Sequence, residues 1–135
     1  MLLAHEDSAA IEAAILGGLP RFARNTIADA TRLRAELRKV RAQCYAYDDI
    51  EFADGMRCIG VPVTEKDGRL TGGISLSGPA SCYSRQKSHE LRNCAMVAAR
   101  ELSLRLGGTA PESERLHSMK PLRRSSRACP CETET

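Results

Sequence analysis

Apolar positions along the chain recur first with a helical period, then with a strand period, then with a helical one again. In "EDSAAIEAAILGGLP" Asp7 or Ser8 can cap a short helix, Ile11, Ala14 and Ile15 form its apolar stripe, and Gly17-Gly18 ends it. A second helix follows Asp29, a good N-cap, with Leu33, Leu37 and Val40 at the spacing of one buried face. From "CYAYDD" onward the period shortens to two. "MRCIGVPVT" and "LTGGISLS" read as strands joined through "EKDGR", where Asp67-Gly68 signals a hairpin turn, and Asp54-Gly55 marks an earlier turn. A last helix is expected from Arg85 to Leu106, capped by Ser84, burying Leu91, Ala95, Ala98 and Leu102, and stopped at Gly107-Gly108. The order α-α-β-β-β-α predicts an α/β (α+β) domain over residues 1–108, an antiparallel sheet with helices packed on it. Residues 109–135 lose the periodicity and read as a disordered tail.

The two hairpin strands carry different faces. Ile59, Val61, Val63, Ile74 and Leu76 share one, a branched apolar platform; Cys58, Gly60, Pro62, Gly73, Ser75 and Ser77 share the other. A solvated face has no limit on side-chain size, so a face of small residues suggests close approach by a ligand or another backbone. Pro62 lacks an N–H, which places it at a strand edge or a bulge.

Composition narrows the classes. With 42% hydrophobic and 27% charged residues the chain is globular, and with no Trp and only 4% aromatics its core is aliphatic. A net charge of +3, with no long basic arm, argues against nucleic-acid binding by charge; Arg34, Arg38 and Arg41 read as a solvated helix face. The start of the chain has no signal-peptide pattern and no run approaches membrane length, so a cytoplasmic protein is expected. The cysteines at 44, 58, 82, 94, 129 and 131 show no CxxC pairing and read mostly as small buried residues, with no metal and no cofactor. An enzyme is not expected: there is no GxSxG elbow, and His5, His89 and His117 are not set beside a nucleophile.

Further motifs agree in order and spacing with one family: Glu36-Leu37, Tyr45-Ala46, Asp48-Asp49, Gly55-Met56-Arg57-Cys58, Pro62-Val63 and Ser75-Leu76-Ser77-Gly78-Pro79. Together, from Met1 to about Gly108, the chain resembles the effector-binding domain of the IclR family of bacterial transcriptional regulators. The resemblance implies a GAF-like fold, helices on one side of an antiparallel sheet and a pocket for a small organic acid on the other. It assigns Asp48, Cys58, Ser75 and Ser77 to that pocket. It also implies a chain truncated before the family's DNA-binding domain, making no direct DNA contact and partnered by a second copy or by intact regulators. Cys44 stands where the family usually has a helix-ending glycine. The competing reading is a non-sensing, degraded fragment whose sheet face is covered by another chain.

Overall fold

The computed structural model describes residues 1–108; the expected disordered tail, with His117, Cys129 and Cys131, lies outside them. A 3-10 turn at Leu2–His5 leads into α1 (Ser8–Leu16), α2 (Ala30–Gln43), β1 (Ala46–Asp49), β2 (Met56–Thr64), β3 (Leu70–Pro79) and α3 (Arg85–Arg105). All three helices start at the expected caps. Asp7 accepts from the Ala10 N–H at 2.8 Å, Asp29 from Arg32 at 2.7 Å and Ser84 from Lys87 at 3.1 Å, each pairing one of the otherwise orphaned first-turn amides.

The strands form an antiparallel sheet in the order β1-β2-β3. The β2–β3 connection turns at Asp67 and Gly68, both at positive φ, which Asp tolerates and Gly adopts freely. Pro62 sits in the central strand, two positions past the last β1 pairing at Gly60, where β2 has a single strand neighbour. The register then shifts between Val63 and Thr64.

The core lies between β2 and α3, where Ile59, Val61 and Val63 are almost fully buried against Ala95 and Ala99. Burying one such branched side chain contributes about 1.5–3 kcal/mol. The inward ridge of α3 differs from the expected one. Leu91 and Ala95 face inward, but the ridge continues through Ala99 and Ser103, while Ala98 and Leu102 are exposed. A strict four-residue step of small side chains lets the helix lie close on the sheet, and closeness outweighs the larger apolar area of Leu102. Ser103, fully buried, accepts from the Thr64 N–H at 3.0 Å.

The expected stop at Gly107-Gly108 forms a Schellman end: Gly107 N–H donates to Leu104 O at 3.1 Å and Gly108 N–H to Ser103 O at 2.8 Å, with Gly107 at φ 78°. A Cβ at Gly108 would lie 2.5 Å from Thr64 O, so this end of α3 must be bare to dock on β2. At the other end, Arg57 Nε donates to Asp49 at 2.6 Å while its Nη1 reaches the carbonyls of Ala80 and Tyr83. One guanidinium thereby ties β1, β2 and the entry to α3.

A second, smaller cluster joins Ala4 to Leu37 and Val40 of α2, with Leu3, Ile11, Leu33 and Ala46 packed around it. In α1, Ile11 and Ile15 are half-buried but Ala14 is exposed, so the stripe expected there is only partly used. The cysteines also differ from expectation. Cys44, Cys58 and Cys82 are half-buried and Cys94 exposed: Cys44 ends α2, Cys58 lies on the strand face away from α3, Cys82 only borders the main core, and Cys94 is on the outer side of α3.

Cys44 ends α2 at φ 58°, ψ 28°, the left-handed region. A side chain there costs roughly 1–2 kcal/mol relative to glycine. Cys44→Gly should therefore raise stability by about 1 kcal/mol in a urea titration, part of the relief being returned as unfolded-chain entropy. The α3 register has its own test: Ala99→Leu should cost about 1–3 kcal/mol by overpacking, and Ala98→Leu should stay within about 0.5 kcal/mol.

Candidate functional site

The small-residue face carries all four expected site residues. Register sets Asp48 opposite Cys58 and Cys58 opposite Ser77, one row across three strands. Directly opposed side chains in such a row have Cβ atoms about 4.5–5.5 Å apart. Ser75 stands in the next row, opposite Gly60, whose own β1 partner is Ala46. The Ser75 and Ser77 hydroxyls are 3.5 Å apart and both residues are exposed, whereas Asp48 and Cys58 are half-buried.

The glycines between them hold a space. A Cβ on Gly60 would meet Met1 Cβ at 3.5 Å, and one on Gly73 would fall 2.1 Å from Met1 Cε and 3.0 Å from Val61 O. The face of small residues is thus approached closely by the Met1 side chain, beside the open serines.

Asp48 is held by the turn that ends β1. Its Oδ1 accepts from the Glu51 N–H at 2.7 Å. Ile50, buried and β-branched, takes φ 61° there, a conformation that costs about 1–3 kcal/mol and persists because the surroundings impose it. The surroundings are the 25–26 loop: Asn25 Nδ2 donates to Asp49 O at 2.7 Å, the Asn25 N–H to Ile50 O at 3.4 Å, and the Thr26 hydroxyl to Glu51 O.

Glu51 is the site-flanking residue that sequence reasoning missed; the only signal was an acid three positions after Asp48 at a strand end. Burial, then repulsion from Asp48, pushes its carboxyl above the usual carboxylate range. The row therefore has a negative end beside neutral donors. It can accept a ligand hydroxyl at Asp48 and donate to a carboxylate from the serines.

A separate cavity of about 500 Å³ lies on the opposite, α3-bearing side of the sheet, and none of the four residues lines it. Its floor is Ile59 with Tyr45, Tyr47 and Tyr83. His89, exposed as expected, stands at its rim. Among the described residues no group of His, Cys, Asp and Glu is arranged to hold a metal, and no helix is long and apolar enough to cross a membrane.

The fold is thus a three-stranded antiparallel sheet backed by a helix on one face and carrying a row of small polar side chains on the other. Residues 1–104 match the family model described as bacterial transcriptional regulator IclR C-terminal, and the chain belongs to that family. It is similar to the HTH-type transcriptional regulator BhcR of Paracoccus denitrificans, 38% identical over 96 residues, which is 71% of this chain and 33% of that protein. Among solved structures, the C-terminal domain of the Escherichia coli regulator KdgR superposes with TM-score 0.70 at 33% identity, over 78% of this chain and 65% of that one. The inducer binding domain of the Acinetobacter transcription factor PobR, a double mutant in complex with 3-hydroxybenzoic acid, gives TM-score 0.70 at 25% identity, over 76% of this chain and 59% of that one. The chain spans about a third of the length of the curated relatives it matches, and those relatives are transcriptional regulators, not enzymes.

The raised Glu51 pKa has a defined sign. Its folded value lies above the unfolded one, so folding takes up a proton between the two; stability is kept in acid and falls as pH rises through the folded value. Glu51→Gln should melt higher than the native chain at neutral pH, and the difference should vanish below about pH 4, where both states are protonated.

Proposed function

We propose that this chain is a ligand-sensing effector-binding domain that takes a small organic acid on the face carrying Asp48, Cys58, Ser75 and Ser77. The observation that supports this reading most is the cross-strand row of Asp48, Cys58 and Ser77 with Ser75 beside it, on a face where Gly60 and Gly73 admit the Met1 side chain and the two serines stay exposed. The serine hydroxyls donate to the acid's carboxylate, each bond to a charged group contributing about 1.5–3 kcal/mol. Cys58 supplies a weak donor on a narrow wall. Asp48 accepts from a hydroxyl of the acid, since facing its carboxylate would set two like charges together. The Met1 side chain forms the adjoining wall over Gly60 and Gly73. A hydroxy acid, or a 2-oxo acid as its carbonyl hydrate, fits these contacts, at micromolar to millimolar affinity. The PobR domain, similar in fold, holds a hydroxylated aromatic acid. In this reading the domain works in the cytoplasm, and its partner is a second copy or a related regulator.

A second reading, an interaction fragment without a ligand, draws on Val97, Leu104 and Leu106 of the α3 region, each nearly half exposed. Thermal melts of the purified chain with a panel of 2-oxo and hydroxy acids separate the two. The sensor reading expects one acid to stabilise the fold, by about 2.7 kcal/mol at a hundredfold excess over Kd. Ser75→Ala with Ser77→Ala should weaken that acid by about 100-fold or more. A melt indifferent to every acid, or a response that survives the double substitution, counts against the sensor.

A further inference from the structure

The 500 Å³ cavity between α2 and the first turns of α3 concentrates two scarce resources of this chain. All three of its tyrosines line it, together with Ile59, in a protein that has only two other aromatic residues and no Trp. Lys39, Arg57, Arg85, His89 and Arg92 also line it, and no Asp or Glu does. Its size is in the ordinary range for small-molecule sites.

The cations are not equivalent. Arg57 is engaged by Asp49 and Lys39 by Glu36. Arg85 has no carboxylate partner among the described residues, and Arg92 is paired only with His89 Nδ1 and Asn93 Oδ1, neither a carboxylate, while lying 5.3 Å from the centre of the Tyr45 ring. Two guanidinium charges therefore face the cavity uncompensated.

The first turn of α3 adds to this charge, although its Lys87 is paired with Glu90. A helix start favours acidic side chains, because its free N–H groups carry partial positive charge. Here the first turn has no acidic residue and instead bears Arg85 and Lys87. That arrangement is unfavourable to the helix by itself, and an anion seated beside it would relieve it. Tyr47, whose hydroxyl lies 3.3 Å from that of Ser88, joins the sheet floor to this turn.

We propose that this cavity is a second ligand site, distinct from the small-residue face, for a doubly charged anion on a flat apolar body: an aryl phosphate ester or an aromatic dicarboxylate. The rings of Tyr45, Tyr47 and Tyr83 take the body and the forks of Arg85 and Arg92 take the charges. The proposal does not depend on the acid site of the other face.

The test follows the ring resonances of the three tyrosines by NMR while the native chain is titrated with phenyl phosphate, isophthalate, benzoate and inorganic phosphate. Phenyl phosphate or isophthalate, or both, should shift the tyrosine rings with affinity at least about tenfold above benzoate and inorganic phosphate, and which of the two binds more tightly names the anion. Arg85→Ala and Arg92→Gln should each weaken the preferred dianion by about tenfold, whereas Ser75→Ala with Ser77→Ala should leave it unchanged. Arg85 is exposed, so its variant reports on binding without endangering the fold. The proposal is overturned if no dianion shifts the rings at about millimolar concentration, if inorganic phosphate binds as well as phenyl phosphate, or if the serine pair rather than the arginines controls the response.

Discussion

The close seating of α3 on β2 is the contact on which the rest of this domain depends. Ala95, Ala99 and Ser103 present almost no side-chain height, so the helix lies directly against Ile59, Val61 and Val63. Both ends are fastened: Arg57 bonds the carbonyls of Ala80 and Tyr83 at the entry, and Ser103 receives the Thr64 amide at the exit. The Tyr83 hydroxyl adds a bond to Leu76 O at 2.9 Å, bringing β3 under the same helix. With one sheet face closed this way, the larger of the two hydrophobic clusters is complete, and the other face is met by the Met1 side chain and, at Ala46, by the smaller cluster.

That division gives β2 two occupations in alternate residues. Ile59 and Val61 are structural; Cys58 and Gly60, alternating with them, belong to the face that carries Asp48 and the serines. The electrostatics diverge as well. The small-residue face ends in Asp48 and a carboxyl at Glu51 that resists ionising, while the helix side gathers guanidinium groups above tyrosine rings. One sheet thus separates an acid-tempered surface from a cationic one by the thickness of a strand.

Much of this was legible in the chain because it is local. Caps at Asp7, Asp29 and Ser84, the Asp67-Gly68 turn and the helix end at Gly107-Gly108 follow from residue chemistry within a few positions, and alternation alone put Cys58, Ser75 and Ser77 on one face. The register of the α3 ridge was not legible, because hydropathy weights Leu102 above Ser103 while packing rewards the smaller side chain. Nor was the Asp48 turn: Ile50 is a poor candidate for positive φ, and only the Asn25 and Thr26 bonds from a distant loop hold it there. The basic cavity joins residues from Lys39 to Arg92 and leaves no signature in any short window.

The Ala95–Ala99–Ser103 ridge has a mechanical consequence. Long side chains absorb strain by changing rotamer, but alanine has none to change and Ser103 is held by its bond to Thr64. A displacement of β2 normal to the sheet therefore has no cushion between strand and helix, and interiors packed this densely transmit strain rather than dissipate it. Pressure on the row from Asp48 to Ser77 would therefore meet α3, and the exposed leucines at that helix's outer surface, with no compliant layer in between.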